Sequence, residues 1–172
     1  MTKLYMAYGS NLNMANMSSR CPDAKHLGSM YIPKWKLVFR HVADIVPTYD
    51  KEDLLPVGLW EITKDCEKAL DFYEGYPTLY GKIKINGIMT YKMNNNKDIL
   101  PPSSSYFHTI LEGYTNFDLN PSHLYDALGW SHYTSNKHEW SFPKAKRKYK
   151  GAGYRLLTEN DKDKNNTDPY GY

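Results

Sequence analysis

Short apolar runs punctuated by glycine, proline and asparagine fill the first half of the chain, and helical periodicities take over later. Residues 3–8 (Lys-Leu-Tyr-Met-Ala-Tyr) predict a short buried strand ending in the turn Gly9-Ser10-Asn11. Glycine there permits positive φ, and the serine and asparagine side chains can bond nearby backbone. Met14–Arg20 predicts a short helix stopped before Pro22. Tyr31–Phe39 reads as a strand whose start Pro33 confines to an edge or a bulge. Pro56–Ile62 is a second, aromatic-rich strand. Thr63 then fits an N-cap, and Cys66, Ala69, Leu70 and Tyr73 follow on one helical face. Gly75 is placed as the stop of that helix, with Pro77 just beyond. Strands at Tyr80–Ile85 and Ile88–Met93 flank Asn86-Gly87, a strong hairpin signal. Ser103 or Ser104 caps a further helix carrying Phe107, Ile110, Leu111 and Tyr114. Asn120 and Pro121 fit N-cap and N1 of a last one carrying Leu124 and Leu128. Strands early, helices late and a hairpin as the best pair predict an α+β fold rather than a doubly wound α/β one.

Length and composition narrow this without changing it. The 172 residues suit one domain, expected over 1–140, followed by a basic, then polar and mobile extension over 141–172. A hydrophobic fraction of 41% with 15% aromatics excludes wholesale disorder. Sixteen tyrosines suit a partly polar pocket as well as a core. No apolar run approaches the roughly 20 residues that span a bilayer, so no membrane partner is expected. The start Met1-Thr2-Lys3-Leu4-Tyr5 lacks the greasy stretch of a signal peptide, and two cysteines form no framework. A cytoplasmic location is therefore expected. The net charge of +3 is too mild to point to nucleic acid.

Most motif readings fail on inspection. Gly151-Ala152-Gly153 begins like a dinucleotide fingerprint, but Leu156 stands where the third glycine belongs. Asp161, Asp163 and Asn165 mimic a calcium loop that lacks its glycine and its closing glutamate. The six histidines show no zinc spacing, so no metal is expected. Cys66 reads as helix core. Lys144–Lys150 reads first as a solvated face, which makes nucleic-acid binding unlikely as the main function.

Two segments remain: Tyr8-Gly9-Ser10-Asn11 after a strand, and Leu70–Pro77, with its Glu74-Gly75 pair, at the end of a helix. Taken with the ordered series that accompanies them, they resemble the γ-glutamylcyclotransferase-like (AIG2-like) family. The series comprises Tyr8–Leu12, Arg20-Cys21-Pro22, Pro56-Val57-Gly58, Glu74-Gly75, Tyr80, Tyr91, Pro101-Pro102 leading to Tyr106, Gly113-Tyr114 and the helix Leu124–Leu128. It covers roughly residues 3–130 and departs from the family beyond Ser131. The resemblance implies a single-domain small mixed β-barrel with flanking helices, and a cavity lined by the first loop. It implies cleavage of a γ-glutamyl amide without water: the substrate's own α-amine attacks its γ-carbonyl and releases 5-oxoproline and an amine or amino acid. It matches Glu74 with the catalytic acid/base. Tyr5, Met6, Ala7, Tyr8, Gly9, Ser10 and Asn11 fall on the substrate-binding segment, and Tyr80, Tyr91 and Tyr106 on its tyrosines. Neither metal nor organic cofactor is required.

Elementary chemistry agrees with the role given to Glu74. The attacking amine starts protonated and the departing nitrogen must end protonated, so one carboxyl can serve both steps. An ordinary glutamate is too acidic for this near neutrality. The negative end of a helix dipole and desolvation by Tyr73, Tyr76 and Tyr80 are expected to raise its pKa. Ring closure is intramolecular, so the protein has mainly to fold the substrate for attack. Backbone N–H groups at Gly9-Ser10 suit either the developing oxyanion or the substrate carboxylate. Asp71 is expected to face solvent or a nearby lysine such as Lys68 rather than complete a carboxylate pair. Met14, Tyr49 and Phe107 are the candidates for the wall around the leaving amine. The alternative is a non-catalytic module binding a small molecule in the same cavity, as a regulator or inhibitor. Oligomeric state is not encoded in any of these features.

Overall fold

The computed structural model describes residues 2–95 and 97–135. The expected extension over 141–172, the boundary at 140 and the basic run Lys144–Lys150 lie outside the described residues. In chain order the elements are β1 (Lys3–Ala7), a 3-10 turn (Ser10–Leu12), α1 (Met14–Arg20), β2 (Lys25–Pro33), β3 (Trp35–Arg40), β4 (Val42–Pro47) and β5 (Leu54–Ile62). They continue with α2 (Lys64–Glu74), β6 (Tyr80–Ile85), β7 (Ile88–Met93), α3 (Ser104–Asn116) and α4 (Ser122–Ser135). This is the expected α+β class, in one domain.

Five strands form a sheet in the order β2-β5-β1-β7-β6, with β1 antiparallel to β5 and parallel to β7. The hairpin β3–β4 makes a second ladder, β3 lying beside β5 and β4 beside β7. The strands thus wrap a mixed barrel-like core of Phe39, Ile45, Ile62, Leu70 and Ile110, all fully buried. Because β1 is the middle strand, the turn that follows it opens from the centre of the sheet.

Local chemistry sets the element ends. Asn86 and Gly87 both have positive φ, 51° and 81°, the type I′ geometry that matches the twist of β6 and β7. Thr63 Oγ1 accepts from the Cys66 N–H at 3.1 Å, capping α2, and Ser103 Oγ accepts from the Tyr106 N–H at 3.3 Å, capping α3. Asn120 Oδ1 accepts from the Ser122 N–H at 3.0 Å ahead of α4.

Three expectations are corrected. The single strand read over Tyr31–Phe39 is two, broken at Lys34, whose φ is 63°. Lys34 donates to the Asp53 carbonyl and accepts from the Thr48 N–H, each at 2.9 Å, which anchors the bend. Strand β4 escaped the apolar pattern because Asp44 interrupts it. That carboxylate is buried, accepting from Arg40 Nε at 2.9 Å and the Met93 N–H at 3.0 Å. Gly9 has a φ of −115°, so its small size matters for approach and not for a left-handed turn.

Helix α3 lies on the 3-10 turn through Gly113, where an added Cβ would stand 2.5 Å from the Leu12 Cβ and 2.8 Å from the Asn13 backbone nitrogen. Gly113→Ala ordinarily favours a helix by about 1 kcal/mol, but overpacking against backbone costs about 1–3 kcal/mol. We expect a net loss of stability, read as a lower denaturation midpoint in urea. An unchanged or higher midpoint would show that the turn yields freely.

Candidate active site

A cavity of about 120 Å³ opens where the turn after β1, the C-terminus of α2, strands β4, β6 and β7, and α3 converge. Its lining includes Tyr5, Tyr8, Gly9, Ser10, Asn11, Glu74, Tyr80, Tyr91 and Tyr106. An engineered cavity of about 150 Å³ takes up benzene, so this volume suits one compact group. No lysine or arginine lines it among the described residues.

Glu74 reaches this cavity through the helix that carries it. The buried stripe of α2, Cys66 and Leu70, continues at helical spacing to Tyr73 and Glu74. Gly75 then closes the helix in the left-handed region, at φ 63°. The Tyr76 N–H donates to the Asp71 carbonyl at 2.9 Å and the Gly75 N–H to the Phe72 carbonyl at 3.3 Å, which is the Schellman pattern. The chain leaves the helix immediately after the carboxylate.

Among the described residues the carboxylate is held by one direct donor. Asn11 Nδ2 donates to Glu74 Oε1 at 2.8 Å and to the Tyr5 hydroxyl at 3.0 Å. Asn11 Oδ1 accepts from Arg20 Nη1 at 2.8 Å, and the Asn11 carbonyl accepts from Trp60 Nε1 at 3.1 Å. The Arg20 guanidinium lies 3.4 Å over the Tyr73 ring, whose hydroxyl is 3.0 Å from Ser10 Oγ. Burial raises the Glu74 pKa to about 7, against the opposing pull of the Asn11 hydrogen bond and the Arg20 charge.

Five of the surrounding phenols stay neutral. Burial holds Tyr5, Tyr8, Tyr80 and Tyr91 above the ordinary tyrosine range, and pushes Tyr106 up to about 12. Their oxygens are tied to fixed points. Tyr8 donates to the Tyr91 carbonyl at 2.8 Å, Tyr80 to the Ala43 carbonyl at 2.6 Å, and Tyr106 accepts from the Ala43 N–H at 3.2 Å. Close approach at Gly9 completes the wall: an added Cβ would lie 3.1 Å from the Ala43 Cβ and 3.4 Å from the Tyr106 hydroxyl. The 3-10 turn's own hydrogen bonds begin with the Leu12 N–H to the Gly9 carbonyl at 2.9 Å, so its first amides serve no bond of the turn.

Several sequence expectations fall elsewhere. Met6 and Ala7 are buried but do not line the cavity. Their side chains pack in the core, and the Met6 carbonyl accepts from Thr90 Oγ1 at 2.8 Å. Of the residues read as the amine wall, Tyr49 is fully exposed, Phe107 packs against Phe39 and Tyr125, and Met14 lies beside α3, its N–H donating to Asn116 Oδ1 at 2.9 Å. Tyr76 is 41% exposed, with Lys82 over its ring, and does not line the cavity. Asp71 does not face Lys68, which pairs with Asp65. It accepts from the Tyr91 hydroxyl at 2.6 Å and from Lys82 at 2.8 Å, so it anchors a cavity tyrosine. Val42, Ala43, Tyr73 and Leu79 also line the cavity. Tyr73 carried a signal, its place on the stripe of α2; the other three lie on segments whose spacing revealed nothing. Among the described residues no group of three His, Cys, Asp or Glu side chains could hold a metal ion.

No protein-family model matches the chain, and no curated protein matches it. Solved structures do. A structure described as gamma-glutamyl cyclotransferase is 20% identical, with a TM-score of 0.61 over 95% of this chain and 97% of its own. An uncharacterized protein from Homo sapiens is 21% identical, with a TM-score of 0.60 over 94% of this chain and 96% of its own. YkqA from Bacillus subtilis is 16% identical, with a TM-score of 0.59 over 78% of this chain and 55% of its own. The chain therefore has the γ-glutamylcyclotransferase fold.

Proposed function

We propose that this chain is a member of the γ-glutamylcyclotransferase-like family and cleaves a small γ-glutamyl amide by intramolecular cyclisation. The observation that carries the proposal is a single carboxyl, Glu74, held by one amide donor inside a tyrosine-lined cavity. In the reaction, the Glu74 carboxylate takes a proton from the substrate's α-ammonium group. The freed amine attacks the γ-carbonyl carbon, forming the ring C–N bond and a tetrahedral oxyanion. Glu74 then returns that proton to the γ-amide nitrogen as its bond to carbon breaks and the carbonyl re-forms. The ring nitrogen's second proton passes by way of the carboxylate to the departing amine, which leaves as an ammonium. The products are 5-oxoproline and a free amine or amino acid, with no water consumed.

The surroundings fit each step. A carboxyl that titrates near neutrality is matched to taking and returning a proton under ordinary conditions. The first amides of the Ser10–Leu12 turn and the Ser10 hydroxyl are the donors available to the oxyanion or the substrate carboxylate. Neutral tyrosines on the remaining walls hold the substrate folded, which supplies the orientation that ring closure needs. Retention of a tuned base at the cavity favours turnover over simple binding.

Two measurements on one preparation test this. Incubation with γ-glutamyl-alanine, γ-glutamyl-lysine and a γ-glutamylamine is expected to release 5-oxoproline from at least one. Because Glu74 must be ionised to act, kcat/KM should rise with pH through an acid limb near its pKa of about 7. Release of intact ligand with no 5-oxoproline from any substrate would favour the binding-module alternative.

A further inference from the structure

Arg20 lines no part of the cavity, yet it commands the one hydrogen bond that reaches the candidate base. A guanidinium can only donate, so its 2.8 Å contact obliges Asn11 to present its oxygen to Arg20. The amide nitrogen then has one direction left, toward Glu74 at 2.8 Å and the Tyr5 hydroxyl at 3.0 Å. With Arg20 absent, the Asn11 amide is free to turn over and present its oxygen to the carboxyl, which would favour the protonated acid. We infer that Arg20 is a positioning residue: through Asn11 it fixes the donor that holds Glu74 and keeps the carboxyl available as a base near neutral pH. Two further contacts make the arrangement rigid. The guanidinium lies 3.4 Å over the Tyr73 ring, and Trp60 Nε1 donates to the Asn11 carbonyl at 3.1 Å.

The groups around Glu74 leave this role to Arg20. Tyr5 and Tyr8 face it from the first strand and its turn, Tyr73 from α2, Tyr80 from β6, Tyr91 from β7 and Tyr106 from α3. Burial keeps the five phenols other than Tyr73 neutral across the physiological range, and Arg20 on α1 is the charged group whose field lowers the Glu74 pKa. Its catalytic consequence rests on the reading of Glu74 as acid/base, whereas the relay itself can be measured on the carboxyl alone.

The test is a pH titration of the Glu74 carboxyl by carbon-13 NMR, its signal identified by loss in Glu74→Gln, run beside kcat/KM profiles for 5-oxoproline release. A nearby opposite charge lowers a carboxyl pKa by roughly one to three units, so Arg20→Met should move the titration up by about one unit. At pH 6.5 kcat/KM should then fall about tenfold, and the profiles should converge by about pH 9. Arg20→Lys, which keeps the charge without the planar fork, should recover most of the shift. Lys68→Met, which removes an exposed cation paired with Asp65, should leave both curves in place. Asn11→Ser breaks the same relay from its other side and should reproduce the upward shift if Arg20→Met does not fold. An unmoved titration in Arg20→Met, or a loss of kcat/KM equal at every pH, would overturn the inference. A shifted titration without 5-oxoproline from any substrate would leave the relay standing and sink the cyclotransferase reading instead.

Discussion

Glu74→Gln is expected to lower 5-oxoproline formation by roughly 10²–10⁴-fold, the range that general acid–base catalysis contributes. The substitution keeps the size and the oxygen that accepts from Asn11 Nδ2, so folding should survive it. The loss should therefore appear in kcat, with substrate binding largely retained, because the missing event is proton transfer and not recognition. Circular dichroism and a kinetic comparison on γ-glutamyl-alanine check it. Turnover within a few-fold of the parent would remove Glu74 from the chemistry, whatever else lines the cavity.

The same substitution should make the protein more stable. Folding raises the Glu74 pKa from the ordinary 4.5 to about 7, chiefly through burial, so the native state resists ionising this group more than the unfolded chain does. Below about pH 4.5 both states hold the proton and no cost arises. As the pH climbs from there to about 7 the unfolded chain releases its proton first, and stability drains across that window. Above it the deficit is constant, up to about 3 kcal/mol at about 1.36 kcal/mol per pKa unit. Glu74→Gln escapes this cost, so urea denaturation should show it more stable than the parent at pH 8 and little different at pH 4. Equal stability at both values would mean that the carboxyl is solvated in the folded chain. A site that lowers its own protein's stability in order to hold a base ready is a familiar exchange between activity and stability.

Much of this architecture was legible where local chemistry is strong. Asn86-Gly87 announced its hairpin because two successive positive-φ residues demand those side chains. Thr63 and Gly75 bracketed α2 because one caps donors and the other adopts a left-handed stop. The ordered family resemblance added what periodicity does not encode, the convergence of residues 5, 8–11, 74, 80, 91 and 106 on one cavity. What escaped depends on tertiary partners. Strand β4 was hidden by Asp44, a buried charge tolerated only because Arg40 and the Met93 N–H meet it. Asp71 does meet a lysine, but Lys82 rather than the Lys68 of its own helix, since only strand pairing brings Lys82 and Tyr91 to it. Arg20 stood in the ordered series as part of a stop signal before proline. Its contact with Asn11 comes from the packing of α1 against the turn, and no spacing rule foretells it.

The absence of lysine and arginine from the cavity wall among the described residues also bears on recognition. On the proposed reading, the carboxylate of a γ-glutamyl substrate would be met by the first amides of the Gly9–Asn11 turn and the Ser10 hydroxyl. Neutral donors bind an anion without adding a positive charge that would pull the Glu74 pKa back down. Arg20, one residue removed, adds its charge to the Asn11 hydrogen bond in lowering the Glu74 pKa against burial.

The central claim is that the bond breaks by internal amine attack and not by hydrolysis. Turnover of γ-glutamyl-alanine in water enriched with oxygen-18, followed by mass spectrometry, tests it most directly. The account predicts alanine and unlabelled 5-oxoproline in equal amounts. Glutamate carrying the heavy oxygen would contradict it.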